Sequence, residues 1–150
     1  MAKKEKTLII IKPDGVRKNL IGECLRRFEK EGLEIINLKM AKFKKPFVKV
    51  FYSHLKSKVS RKLFQTIIDF MCSHKIVIAV LEGEGAVKKA RKICGPINPK
   101  EAKKGTIRGD FSSDDLIENT RRNRATRNII HSSGSKIEAR REIGMITNWG

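Results

Sequence analysis

His131 stands in the run Asn128-Ile129-Ile130-His131-Ser132-Ser133-Gly134-Ser135, with hydroxyls at Ser133 and Ser135 and a carboxylate further on at Glu142. An imidazole becomes a nucleophile when a carboxylate on one ring nitrogen fixes the tautomer and leaves the lone pair of the other free. Ser135 and Glu138 form a capping box that starts a helix, and Glu142, about two turns along it, reaches the ring if that helix folds back. Other polar groups are available. Lys12 follows a β-branched run, Arg91 precedes Gly95, Arg108 sits in Gly105-Thr106-Ile107-Arg108-Gly109-Asp110-Phe111, and Asn128 adds an amide. A nucleophilic imidazole ringed by Lys and Arg suits phosphoryl transfer, because the cations neutralise the charge spread over the equatorial oxygens. Taken singly, each residue also has an ordinary reading: His131 as a strand-end histidine bonded to a backbone carbonyl, Lys12 as a solvated loop lysine.

These groups need elements to hold them. Thr7-Leu8-Ile9-Ile10-Ile11 predicts a central strand buried on both faces, and Lys12-Pro13-Asp14-Gly15 a tight turn that ends it. Asn19 is placed to cap a helix carrying Leu20, Cys24, Leu25 and Phe28, with Gly32 as its stop. A second strand is expected from Leu33 to about Phe43. After Lys44-Lys45-Pro46 a helical stretch runs through Tyr52, Leu55, Leu63, Phe64, Ile67, Ile68 and Met71, broken near Ser57 to Ser60. Lys75 to Leu81 reads as a third strand, Glu82 to Gly85 as a turn, Ala86 to Ile93 as a helix, and Gly95-Pro96-Ile97-Asn98-Pro99 as its end. From Lys100 to Arg127 nothing is periodic, and a loop of that length in a compact domain is functional or disordered. Asn128 to His131 supplies the last strand. This order predicts an α/β protein with a β-α-β-β-α-β core, residues 1–150 forming one domain with an extended loop at about 112–127.

Composition narrows the chemistry. The 34 Lys and Arg against 16 Asp and Glu give a net charge of +18, so the surface attracts phosphates. There is no GxxxxGK[ST] loop, no GxGxxG after a strand, no HExxH and no CxxC, so the usual nucleotide and metal frameworks are excluded. Cys24, Cys72 and Cys94 are odd in number and far apart, which predicts buried thiols in a reducing compartment and hence a cytoplasmic protein. The apolar run before Lys12-Pro13 is too short for a signal-peptide core or a membrane span, so no membrane is expected.

Ile11-Lys12-Pro13-Asp14-Gly15-Val16, the Gly105 to Phe111 run and the Asn128 to Ser135 run, followed by Glu142-Ile143-Gly144, resemble the nucleoside diphosphate kinase family over nearly the whole chain. The resemblance implies a ferredoxin-like fold with a four-stranded antiparallel sheet and helices packed on it. It also implies a transferase that moves the γ-phosphate of a nucleoside triphosphate to a nucleoside diphosphate by a ping-pong route through phosphohistidine, with broad base tolerance. His131 would be the nucleophile, supported by Glu142, Tyr52 and Ser133. Lys12 and Asn128 would hold the ribose hydroxyls, Lys12 also the γ-phosphate, and Arg91 and Arg108 the phosphates. Mg2+ would arrive on the nucleotide phosphates rather than in a protein cage. A homo-oligomer, hexamer or alternatively tetramer, is implied as well.

Three departures from the family pattern stand out. Ile97 replaces the usual Thr, Gly134 replaces a common Asp, and the chain is longer around Ser57 to Phe64 and between Phe111 and Asn128. The base-stacking position falls on Leu63 or, with a shifted gap, Phe64. The charge, with Arg121, Arg122, Arg124 and Arg127 in one loop, leaves an alternative: a basic nucleic-acid-binding or scaffold protein of the same fold with reduced catalysis. Nucleic acid could also be a secondary, non-specific partner.

Overall fold

In the computed structural model, which describes residues 4–148, strand β1 (Lys4–Ile11) is buried from Thr7 onward, as its β-branched run predicts. Residues 1–3 and 149–150 lie outside the described residues. Successive β1 side chains point to opposite faces and therefore enter different cores. Leu8 and Ile10 pack with Val48, Phe51, Ile68 and Ile146; Ile9 and Ile11 pack with Cys24, Phe28, Ala90 and Ile107. Burying each such Leu or Ile stabilises the fold by about 1.5–3 kcal/mol.

β1 sits inside a four-stranded antiparallel sheet of order β2-β3-β1-β4, with β2 at Glu34–Ala41, β3 at Ile76–Glu84 and β4 at Ile130–Ser132. Along the chain the helices are α1 (Pro13–Arg17), α2 (Ile21–Lys30), α3 (Lys45–Phe51), α4 (Arg61–Met71), α5 (Ala86–Cys94), α6 (Ile107–Phe111), α7 (Leu116–Arg121) and α8 (Lys136–Thr147). Helices α2 and α5 cover one face, and α3, α4 and α8 the other. The fold is ferredoxin-like, with α3 and α4 inserted between β2 and β3. Among the described residues no helix is long and apolar enough to cross a membrane. Cys24, Cys72 and Cys94 are free; the first and last are buried and Cys72 is half-buried.

Several local expectations are corrected. Lys12-Pro13-Asp14-Gly15 does not form a tight turn: Pro13 opens α1, where its fixed φ and missing N–H suit the first helical position. Asn19 does not cap α2. It adopts φ 60 and donates its N–H to Val16 O at 3.0 Å, ending α1 in the left-handed conformation that Asn tolerates, and Leu20 becomes the N-cap. β3 continues through Glu84 because Glu82, Gly83 and Glu84 pair with Lys6, Glu5 and Lys4, so the turn shrinks to Gly85. The stretch from Lys100 to Arg127 holds helices too short to show periodicity, each started by a side chain: Thr106 Oγ1 accepts from Gly109 N at 3.0 Å and Asp115 Oδ1 from Ile117 N at 3.1 Å.

The extended loop is stitched at both ends. Ser112 Oγ donates to Arg127 O at 2.6 Å and Arg127 N donates to Asp114 Oδ2 at 2.8 Å, closing its neck. At its tip, Ser60 Oγ donates to Asn123 Oδ1 at 2.6 Å while accepting from Leu63 N at 3.0 Å, so the loop is tied to the start of α4. Gly109 has no room for a side chain, since a Cβ there would lie 1.9 Å from the Lys103 carbonyl oxygen. Gly109→Ala should therefore cost about 1–3 kcal/mol of stability, seen as a lower Tm in calorimetry; an unchanged Tm would show that the α6 segment yields.

Candidate active site

His131 pairs with Ile10 across β1 and β4, so its side chain leaves the sheet on the face that carries Leu8, Ile10 and α8. β4 is three residues long and starts later than expected, because Ile129 bends out of it. Ile129 is buried at φ 73, and Ile130 N donates to Asn128 O at 2.8 Å, closing a γ-turn. That conformation is strained for a β-branched residue and needs outside support. Lys12 N donates to Ile129 O at 2.8 Å and Ile129 N to the buried Asp14 Oδ2 at 2.9 Å. Gly15 permits the approach of α1, since a Cβ there would lie 2.8 Å from Ile129 O.

On the α8 side, His131 Nε2 donates to Glu142 Oε1 at 2.9 Å, and Ser133 Oγ donates to the same oxygen at 2.7 Å. Burial works against ionisation of Glu142, yet the bonds from His131 and Ser133 and the nearby Arg141 charge hold its carboxyl below the usual glutamate value. An ionised carboxylate only accepts, so the Nε2 proton is committed and the Nδ1 lone pair is free. Phe51 and Tyr52 stand edge-on to the imidazole, with ring centroids 5.5 and 6.1 Å away. Tyr52 Oη is buried with no partner among the described residues. Burial, then the Glu142 charge, raises its phenol above the ordinary value, so it stays a neutral donor on a residue that lines the cleft.

The cations lie along one cleft of about 1030 Å³, lined by His131, Tyr52, Lys12, Arg91, Arg108 and Asn128 among others. Lys12 Nζ donates to Asn128 Oδ1 at 2.8 Å, and Asn128 Nδ2 donates to Ile97 O at 3.0 Å. Arg108 is buried and clasped by backbone: Nε donates to Asn128 O at 3.3 Å, Nη1 to Gly95 O and Nη2 to Ile130 O, both at 2.6 Å. The remaining guanidinium N–H groups are left for an anion. Arg91 is exposed on α5 beside Gly134. Glu138 Oε2 accepts from Gly134 N at 2.8 Å, and its flexible carboxylate is the group that a side chain at residue 134 would have to displace. Among the described residues no group of three or more His, Cys, Asp and Glu side chains is placed to hold a metal ion.

Ile97 lines the cleft with 55% of its surface exposed. Of the residues weighed for base stacking, Leu63 lines the cleft with Ile67, one turn on, while the half-buried Phe64 packs against the core on the α4 face and is not among the lining residues. Phe51 was missed as a neighbour of His131, although its place beside Tyr52 was a signal. Leu116, Thr120 and Arg124 of the extended loop also line the cleft, and no periodicity marked them.

The chain is similar to known proteins over nearly its whole length. The family model described as nucleoside diphosphate kinase matches residues 5–148. A nucleoside diphosphate kinase of Sulfurisphaera tokodaii is 42% identical over 94% of this chain and 87% of its own length; that of Methanocaldococcus jannaschii is 40% identical over 93% and 91%. Among solved structures, a transition state mimic of the Borrelia burgdorferi enzyme with vanadate and ADP superposes with TM-score 0.89 at 35% identity, covering 98% of this chain and 87% of that one. The Halobacterium salinarum enzyme with CDP gives 0.84 at 28%, covering 97% and 89%.

Burial, and then the neighbouring Arg108 charge, lower the Lys12 ammonium to about 8, against which Asp14 acts weakly. An anion needs that proton. Affinity for a nucleoside diphosphate should therefore hold below about pH 8 and weaken above it by at most about tenfold per pH unit, a slope that Lys12→Met removes. Calorimetric titration across that range checks this, and a flat profile in the unsubstituted protein would contradict it.

Proposed function

Since the chain belongs to the nucleoside diphosphate kinase family, and so is a phosphotransferase acting on nucleoside di- and triphosphates, we propose that Nδ1 of His131 is the atom that carries the phosphate. The observation behind this is the bond from Nε2 to the buried Glu142, which leaves Nδ1 facing the cleft that Lys12, Arg91 and Arg108 line. The Nδ1 lone pair attacks the γ-phosphorus, an N–P bond forms, and the bond to the bridging oxygen breaks with its electron pair leaving on the diphosphate. A second diphosphate then attacks the phosphoimidazole with a terminal oxygen and restores His131. One site serves both halves because donor and acceptor differ only in base and sugar.

In this reading Arg91 and Arg108 grip the phosphates, Lys12 and Asn128 hold the ribose hydroxyls with Lys12 reaching the γ-phosphate, and Tyr52 donates to the transferring group. Mg2+ enters as part of the nucleotide: the cleft offers ammonium and guanidinium groups rather than clustered carboxylates, a donor set that fits an ion held by phosphate oxygens and water. There it offsets phosphate charge. Leu63, Ile67 and Ile97 supply apolar contact without a base-specific bond, which suits broad base tolerance; the relatives hold ADP in one case and CDP in another. The exposed Ile36, Leu38 and Met40 of β2 suit cover by a second copy, in a hexamer or tetramer, and the free thiols suit the cytoplasm.

Incubation with γ-labelled nucleotide should give an acid-labile, base-stable phosphoprotein. His131→Ala should abolish the label while His54→Ala and His74→Ala retain it, and label that persists in His131→Ala would sink the assignment. Across adenine, guanine, cytosine and uracil diphosphates, kcat/KM should differ by less than about one to two decades, or 1.4–2.8 kcal/mol. Leu63→Ala should raise KM more than it lowers kcat; steady-state kinetics on the four acceptors decides both.

A further inference from the structure

Helix α8 touches the site twice. Glu142 holds His131, and the preceding Arg141 reaches the end of α3: Nη2 donates to Val50 O at 2.8 Å and to Ser53 Oγ at 3.4 Å, while Nη1 and Nη2 each donate to Phe51 O at 3.2 Å. These carbonyls belong to the turn that a helix leaves without internal partners, at the negative end of its dipole, where a guanidinium is favoured. The end of α3 carries the other half of the site. Phe51 and Tyr52 stand edge-on to the His131 ring, Tyr52 lines the cleft, and its Oη is buried without a partner among the described residues. At its beginning α3 has no side-chain cap, and past Tyr52 it passes into a 3-10 turn at Ser53–Leu55. Arg141 thus fastens the segment bearing Tyr52 to the helix bearing Glu142.

We propose that Arg141 is a positioning residue for phosphoryl transfer: by capping α3 from α8, it sets where the Tyr52 hydroxyl meets the phosphate on His131. The inference rests on the reading of His131 as the nucleophile. Its charge acts at the same time on Glu142, so one guanidinium biases both neighbours of the imidazole. Misplacing a reacting contact by an ångström is enough to slow a step strongly.

The test is single-turnover phosphorylation of the full chain over a range of γ-labelled ATP concentrations up to saturation, for the unsubstituted protein, Arg141→Met, Arg141→Lys, Tyr52→Phe and the Arg141→Met, Tyr52→Phe double variant. Arg141→Met should slow the first-order step about tenfold to a hundredfold with little change in KM, and Arg141→Lys should recover part of the loss. In the Tyr52→Phe background the Arg141→Met effect should shrink, the non-additivity of residues that act through one another. An unchanged rate in Arg141→Met, or losses that multiply independently, would overturn the proposal. If Arg141→Met does not fold, Arg141→Lys in the same cycle decides by the same criterion. Failure of the nucleophile assignment looks different: labelling would survive in His131→Ala whatever stands at residue 141.

Discussion

A carboxylate with 2% of its surface exposed must be met by donors, or its burial would cost more than any single contact returns. Glu142 finds them in His131 Nε2 and Ser133 Oγ, which converge on one oxygen. That convergence ties three elements together. α8 supplies the carboxylate, β4 the imidazole, and Ser133 is locked to β1 because its N–H donates to Leu8 O at 3.1 Å. The start of α8 is set by Ser135, whose Oγ accepts from Glu138 N at 3.1 Å, and so the helix presents Glu142 to the sheet. The electronic state of the imidazole is therefore a consequence of how the last helix packs.

The same economy appears on the cationic side. Asn128 and Ile130 flank the strained Ile129, and their carbonyls, with that of Gly95, hold the Arg108 guanidinium. Asn128 also binds Lys12, which follows β1 directly. The groups that would meet phosphate are thus fixed by backbone that itself positions His131, so little rearrangement is needed as charge shifts during transfer. The strain at Ile129 is offset by Asp14 and Lys12, and Gly15 gives the room for it.

Much of this was legible in the residue order, and the failures have physical causes. Continuous apolar runs marked β1 and β3, which are buried on both faces, and helical spacing of apolar residues marked α2 and α4. The helix from Ser135 and the approach of Glu142 to His131 followed from a capping box and helical spacing. Local propensity misplaced Asn19, because what competes for it is the end of α1 rather than the start of α2. It also missed α6 and α7, which at five and six residues are too short to show a helical period, although their caps, Thr106 and Asp115, are local. Leu63 and Phe64 are adjacent in sequence but about 100° apart on α4, so only packing could tell which one faces the cleft. Arg141 gave no signal at all, because its partners are backbone carbonyls of a distant helix.

If Glu142 decides which ring nitrogen reacts, the regiochemistry of the phosphoprotein reports it directly. Labelling the histidines with 15N and recording long-range 1H–15N correlations after phosphorylation distinguishes the isomers. The geometry requires phosphate on Nδ1 of His131 with Nε2 still protonated towards Glu142. Phosphate on Nε2 would contradict it.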